Sequence, residues 1–128
     1  MQLLLDTHAL LWWLAGDATL SAAARKAISD EGNGIFVSAA SAWEIATKHR
    51  LGKLPGAAAI VADIDGAIAD QGFAALPINV RHAQAAGTLP GPHRDPFDRM
   101  LIAQAMIERL VLVTNEHTFD SYGVARLW

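Results

Sequence analysis

Acidic residues follow or interrupt short apolar runs at four separate places in this sequence. They are Asp6 after QLLL, Glu44 in SAWEIATKHR, Asp95 and Asp98 in DPFDRMLIAQA, and Glu116 after LVLVT. If such acids converge they repel one another, by roughly 4 kcal/mol for two charges about 4 Å apart at an effective dielectric of about 20. A divalent metal would offset that repulsion, and hard oxygen ligands select Mg²⁺ or Mn²⁺. Acids that hold such ions are suited to phosphodiester hydrolysis, because the metals orient the phosphate and activate a water.

The elements around these acids decide whether they can meet. Apolar runs predict strands at 2–5, 34–38, 73–78, 110–114 and 124–128. Capping residues and glycines predict helices at 7–16, 21–32, 41–52, 57–72, 80–87 and 96–108. The alternation of strands and helices predicts an α/β fold, with a parallel sheet covered by helices on both faces. Ligands of such sheets bind outside the carboxyl ends of the strands, where we expect the acids to lie.

Local structure offers a second explanation for several of the acids. Asp6 could cap the first helix, although Thr7 offers an alternative cap. Ser41 and Glu44 have the spacing of a capping box, with Ser41 as the N-cap. Asp95 precedes a proline, which is a favourable arrangement for an N-cap. The sequence leaves these structural roles open beside the functional ones.

The remaining two acids are also ambiguous when each is taken alone. Asp98 would suit a helix dipole, but its helix continues as the apolar run MLIAQAMI, so its charge needs a partner. Glu116 could be an ordinary loop acid.

Length and composition restrict the class of protein. The chain has 128 residues, which suits one domain spanning 1–128, and its net charge of −3 means that nucleic-acid binding would need a local basic patch. The absence of cysteine excludes disulfides and thiolate metal sites. The first apolar stretch is interrupted by Asp6 and His8, so it is a poor signal peptide and too polar to span a membrane. We therefore expect a cytoplasmic protein.

Four stretches of the sequence resemble a known family when taken together. LLLDTHALLWWL, VSAASAWEIATKHRLGKL, HRDPFDRMLIAQA and LVTNEHTFDSYGV resemble a PIN domain of the VapC toxin type, in order and over nearly the whole chain. The resemblance implies a three-layer α/β/α fold with a five-stranded parallel sheet. It also implies RNA cleavage with Mg²⁺ or Mn²⁺, neutralisation by a cognate VapB-like antitoxin, and a homodimer. We expect one of the adjacent Trp12 and Trp13 to lie in the core and the other in a partner surface.

The resemblance also assigns roles to particular acids. By position, Asp6, Glu44 and Asp98 match the family's first three acids, which bind metal and act in catalysis. Asp95 matches a further acid in the DPFDR form of the motif, with a supporting role.

The fourth acidic position departs from the family pattern. The family usually has Asp or Asn two residues after the threonine that ends the fourth strand, Thr114 here, whereas this sequence has Glu116. We expect Glu116 to take the fourth metal-binding and catalytic place, directly or through water. Asn115 is a neighbouring substitute, and Thr114 could orient a metal-bound water or cap the following turn.

Basic residues near the acids could contact RNA. We expect Lys48, Arg50, Arg94 and Arg99 to pair with phosphates, although a solvated helix end would account equally for Lys48 and Arg50. His93 is not at metal-ligand spacing and is interpreted as a loop residue.

One alternative function stays open, and two others are disfavoured because each lacks a residue that it needs. The departure at Glu116 would fit a catalytically weak or inactive PIN-like module with an RNA-binding or regulatory role. A response-receiver domain needs a lysine after a late strand, and none follows LVLVT. A phosphatase with an aspartyl nucleophile usually has a second acid two residues later, where this chain has His8.

Overall fold

The computed structural model describes residues 1–128 and contains five strands and six α-helices. The strands are β1 (Gln2–Leu5), β2 (Gly34–Ser38), β3 (Ala74–Leu76), β4 (Val111–Val113) and β5 (Arg126–Leu127). The helices are α1 (Thr7–Ala15), α2 (Ala22–Ser29), α3 (Ala39–Arg50), α4 (Ile64–Asp70), α5 (Val80–Thr88) and α6 (Pro96–Glu108). Short 3₁₀ turns lie at Pro55–Ala57 and His117–Tyr122. No helix is both long and apolar enough to cross a bilayer.

The strands form one parallel sheet in the order β3-β2-β1-β4-β5. The chain builds outward from β1 through β2 and β3, and then returns to the other side of β1 for β4 and β5. Strand order therefore reverses between β1 and β4, which is where parallel α/β sheets form their ligand crevices. The predicted α/β class and the five parallel strands are confirmed.

The central strand is buried on both faces, which explains its continuous apolar sequence. Leu3 and Leu5 join a core cluster with residues of α1, α2, α3 and α4. Leu4 points to the opposite face and packs in a second cluster that includes residues of α6. All three leucines are 0% exposed. Helices thus cover both faces of the sheet, and the predicted three-layer arrangement is confirmed.

The start of α3 differs from the prediction, and the difference affects the site. Helix α3 begins at Ala39, and its N-cap is Ser38, whose hydroxyl accepts a hydrogen bond from the Ala40 amide at 3.0 Å. The predicted N-cap, Ser41, lies inside the helix, because β2 continues into α3 without a loop. Glu44 is therefore in the second turn of α3, and the capping-box explanation for it is wrong.

Two other helix predictions are also wrong. Asp6 caps α1 in place of Thr7, which is the first helical residue. The helix predicted over 57–72 is confined to α4, because the Asp63 carboxylate accepts from the Gly66 amide at 2.9 Å and starts a new helix there.

Both adjacent tryptophans are partly buried and pack at the edge of the core, and a place in a partner surface for one of them stays a prediction. The ring of Trp12 lies 5.7 Å from that of Trp128, and the indole of Trp13 donates to Gln71 at 2.9 Å. The exposed tryptophan is Trp43, at 62%.

Candidate active site

The edge formed by the carboxyl ends of β1 and β4 positions the first acid. The Asp6 amide donates to the Val113 carbonyl at 3.1 Å, so the chain stays in register with β4 for one residue beyond β1. One carboxylate oxygen, Oδ1, accepts from the Ala9 amide at 2.7 Å and caps α1. Asp6 is only 5% exposed. It therefore serves as a helix cap and also places a buried carboxyl at the point where strand order reverses.

Glu44 reaches the same region from α3 and is held at both of its carboxylate oxygens. The Thr7 hydroxyl donates to Oε1 at 2.5 Å, and the Lys48 ammonium donates to Oε2 at 2.5 Å. The Ser41 hydroxyl lies 3.1 Å from that of Thr7. Glu44 is 4% exposed. A buried carboxylate with one ionic and one neutral donor is well satisfied without any bound ligand.

The DPFDR segment supplies two acids with different surroundings. Asp95 is the N-cap of α6, and its Oδ1 accepts from the amides of Phe97 at 2.8 Å and Asp98 at 3.1 Å. The Asp98 side chain is 25% exposed, and its Oδ2 lies 2.9 Å from Nε2 of His93. The structure therefore gives Asp95 a clear structural role as a cap and leaves the other oxygen of Asp98 available.

The charge of Glu44 acts on both Asp6 and Asp98. Burial raises the pKa of Asp6, opposed mainly by the neighbouring Thr114 hydroxyl, and the charge of Glu44 raises it further. Burial also raises the pKa of Asp98 to about 6, although the His93 hydrogen bond lowers it, and Glu44 again contributes upward. Glu44 is thus near enough to Asp6 and to Asp98 for its charge to act on each, and a shared metal site of the three acids stays a prediction.

Lys48 is the positive charge within this group. The hydrogen bond to Glu44 is the main cause of its raised pKa, and the charges of Asp95 and Asp98 add to the effect. The sequence predicted Lys48 as an RNA contact, but in this structure its ammonium pairs with a site carboxylate.

Glu116 is not drawn into the cluster. Its backbone amide donates to the Thr114 hydroxyl at 3.0 Å, while its exposed carboxylate makes no hydrogen bond and no ion pair. Asn115 is exposed as well, and so are Arg50 and Arg94, which form no ion pair. None of these four side chains forms a hydrogen bond or an ion pair with Asp6, Glu44 or Asp98.

Arg99 has a structural function that the sequence did not suggest. Its guanidinium donates to the backbone carbonyls of three residues in or after α5, which are Ala86, Leu89 and His93. These bonds hold the loop before α6 in place. They account for Arg99 without a phosphate, in contrast to the expected RNA contact.

Sequence reasoning missed the residues that hold the acids in place. Thr7 was interpreted as a cap and His93 as a loop residue, yet they bind Glu44 and Asp98. The separation of 37 residues between Thr7 and Glu44 gives no local signal. The one available hint was that Thr7 directly follows Asp6 and so had to lie at the same strand end.

The donor set suits a divalent cation by its chemistry. Asp6, Glu44 and Asp98 offer hard carboxylate oxygens, the ligands that Mg²⁺ and Mn²⁺ prefer. As the side chains are arranged here, however, no group of three or more acids or histidines could hold a metal ion. Both oxygens of Glu44 already have partners. A metal bound to Glu44 would lie beside the Lys48 ammonium, and the two positive charges would repel each other.

Comparison with known proteins identifies the family. The sequence model of the PIN domain family matches residues 3–125. The chain belongs to the PIN domain family. The resemblance inferred from four motifs is thereby confirmed at the level of this domain. The PIN domain match begins in β1 and ends just before β5, and so includes every element that supplies an acid to the site.

Solved structures share the fold of this PIN domain. A chain of VapBC2 from Rickettsia felis, bound to a DNA fragment from their promoter, has a TM-score of 0.71 at 14% identity over 99% of this chain and 98% of that one. DNA-bound VapBC from Salmonella typhimurium gives 0.70 at 17% identity, over 99% and 97%. VapC20 from Mycobacterium tuberculosis, a toxin that cleaves the sarcin-ricin loop, gives 0.62 at 14% identity, over 96% of each chain. A search of curated proteins found no match.

Proposed function

We propose that this PIN domain is the toxin of a VapC-type toxin–antitoxin pair and hydrolyses RNA with Mg²⁺ or Mn²⁺. What supports the proposal is the position of Asp6 at the point where strand order reverses, together with the acids Glu44 from α3 and Asp98 from α6, which carry the same type of side chain. Their mutual effects on the pKa values of Asp6 and Asp98 support a shared site. The similarity in fold to VapBC complexes supports the partner.

In this proposal the three buried or half-buried acids would hold the metal, which would supply orientation of the scissile phosphate and activation of a water. Thr7 fixes one oxygen of Glu44, so this side chain keeps its orientation when its other oxygen is released. The Thr114 hydroxyl lies beside Asp6 and lowers its pKa, which favours the ionised form needed for binding. Glu116 would act at the exposed side of the site, through water or after a change of rotamer.

The catalytic proposal is tested by cleavage of single-stranded RNA. The purified protein is expected to cleave with Mn²⁺ and to stop when EDTA is added. Asp6→Asn is expected to abolish cleavage. Asp65→Asn is the matched control, because it removes an exposed acid in the first turn of α4, and it should cleave normally. Full activity in EDTA, or full activity of Asp6→Asn, would contradict the proposed mechanism.

The proposed toxicity is tested in cells. Expression of the protein alone is expected to arrest growth, because hydrolysis of RNA in the cytoplasm stops translation. Co-expression with a small antitoxin encoded beside it should restore growth, and Asp6→Asn should not arrest growth. If Asp6→Asn were as toxic as the wild type, ribonuclease activity would not be the cause.

We assign the exposed side chains of Arg50 and Arg94 to contacts with RNA phosphates.

We also propose a homodimer that buries the surface around Trp43. The ring of this 62% exposed tryptophan meets that of Phe97 at 5.0 Å, beside a mostly apolar cavity of about 230 Å³ between α3, α5 and α6. Exposed aromatic residues are common anchors of protein interfaces. Trp43→Ala is expected to shift sedimentation towards the monomer, whereas Met106→Ala, a 51% exposed residue of α6, should not. Equal sedimentation of both variants would place the interface elsewhere.

A second candidate function is a catalytically weak or inactive PIN-like module that binds RNA or regulates a partner. The exposed position of Glu116 and the absence of a ready metal cluster favour it. RNA binding without cleavage at saturating Mn²⁺ would support this candidate over the toxin.

A further inference from the structure

Lys48 occupies an unusual position for a lysine near a site of this kind. Its ammonium lies 2.5 Å from Oε2 of Glu44, four residues earlier on α3, whose side chain is only 5% exposed. The Thr7 hydroxyl binds the opposite oxygen, Oε1. Glu44 therefore accepts a hydrogen bond at each carboxylate oxygen, from Thr7 at Oε1 and from Lys48 at Oε2.

Lys48 is also the only lysine or arginine that forms an ion pair with the acids of the site. His93 pairs with Asp98, and the nearby Arg99 donates to backbone carbonyls. The charges of Asp95 and Asp98 act on Lys48 as well. Without a metal, this ammonium is thus the main positive charge that offsets the repulsion among the carboxylates.

We propose that Lys48 is a resident counter-cation, which stabilises the metal-free site by pairing with Glu44 and leaves that carboxylate when a divalent metal binds. The inference rests on the proposed metal-dependent function. An ammonium and a divalent metal compete for the same carboxylate oxygen, so the ion pair lowers the affinity for metal. Exchange is feasible because the Lys48 side chain is 31% exposed and its flexible stem can move the charge into solvent. The released ammonium then becomes available to an RNA phosphate.

The test measures metal affinity directly. Isothermal titration of Mn²⁺ into the EDTA-treated and dialysed protein is expected to show binding at least tenfold tighter for Lys48→Met than for wild type, a difference of about 1.4 kcal/mol. Lys48→Arg keeps the charge and should bind Mn²⁺ like the wild type. Lys53→Met is the matched control, because it removes an exposed lysine that forms no ion pair, and its affinity should change less than twofold.

Thermal melts give a readout that does not depend on activity. In EDTA, Lys48→Met is expected to melt lower than Lys53→Met, because Glu44 then stays buried without an ionic partner. Added Mn²⁺ should raise its melting temperature more than it raises that of the wild type. If Lys48→Met does not fold in EDTA, Lys48→Gln, which retains a hydrogen-bond donor, takes its place in both measurements.

The outcomes separate this inference from the proposed function. Wild-type binding of Mn²⁺ with unchanged or weaker affinity in Lys48→Met would overturn the role of Lys48 and leave the metal mechanism standing. No binding of Mn²⁺ by any variant, together with RNA cleavage in EDTA, would overturn both. Equal tightening in Lys48→Met and Lys53→Met would reduce the effect to net charge and would also overturn the inference.

Discussion

Asp98→Asn should stabilise the metal-free protein above pH 6, because the folded state holds this carboxyl in an environment that disfavours its charge. The pKa of Asp98 is raised from 3.8 to about 6, chiefly by burial. Each pKa unit corresponds to about 1.4 kcal/mol, so ionised Asp98 destabilises the folded protein by about 3 kcal/mol relative to the neutral form. Loss of a favourable helix-dipole interaction would offset about 0.3–1 kcal/mol. A net gain of about 2 kcal/mol is expected for the variant, roughly 7 °C in melting temperature.

The sign of the pH dependence follows from proton linkage. The folded wild type binds more protons than the unfolded chain between about pH 4 and pH 6, so the contribution of Asp98 to stability is lost as pH rises through that window. The advantage of Asp98→Asn should therefore be near zero at pH 4 and reach its full size above pH 6. Urea unfolding in EDTA at pH 4.5, 6 and 8 measures it. Asp65→Asn, at an exposed first turn, should show no such pH-dependent gain.

Addition of Mn²⁺ should reverse the order of stability. Wild type is expected to gain stability because the metal binds the folded state, whereas Asp98→Asn loses most of that gain along with cleavage. The reasoning would be refuted if Asp98→Asn were less stable than wild type at pH 8 in EDTA and kept the full Mn²⁺ shift. Asp98 would then be a structural acid at the start of α6.

Three further predictions concern the residues around the proposed metal ligands. Asp95→Ala should cost about 0.5–2 kcal/mol in urea unfolding through loss of the cap, while Asp95→Ser should keep both stability and cleavage; cleavage lost in Asp95→Ser would show a direct role. Thr7→Val should cost about 1–3 kcal/mol in EDTA, because it leaves buried Glu44 short of a donor, and unchanged unfolding would disprove that bond. Glu116→Gln should shift the Mn²⁺ dependence of cleavage more than Asn115→Ala does, and identical titration midpoints would assign Glu116 to the loop.

The fold could be predicted wherever local pattern and tertiary packing agree. The apolar run of β1 and the proline-started helix α6 were located to the residue, because a buried central strand and a capped helix both have strong local signals. The start of α3 was misplaced because Ser38 and Ser41 both suit an N-cap, and only the direct continuation from β2 selects Ser38. The prediction for 57–72 failed because the alanine-rich sequence favours one continuous helix, whereas the Asp63 cap starts a new helix at Ile64.

The acids of the site were easier to predict than the groups that hold them. Asp6 and Asp98 adjoin elements with clear boundaries, so the sheet topology alone brings them to one edge. Lys48 was interpreted as a surface cation. Its i,i+4 spacing from Glu44 is visible in the sequence, but the burial of Glu44, which makes this pair part of the site, is not. His93 was missed because loop geometry, which sequence spacing does not encode, brings it to Asp98.

The choice of residues at the helix caps indicates why the site carries charge. Serine caps α2 at Ser21 and, fully buried, caps α3 at Ser38, so this chain forms both surface and buried caps without a carboxylate. Where it caps a helix with aspartate away from the site, at Asp63, the residue is exposed and its charge is solvated. Asp6 combines the two features that the other caps keep apart, since it is 5% exposed and carries a carboxyl whose charged form burial disfavours. A serine would satisfy the Ala9 amide there at no such cost. Capping therefore leaves the carboxylate of Asp6 unexplained, and the proposed metal would account for it.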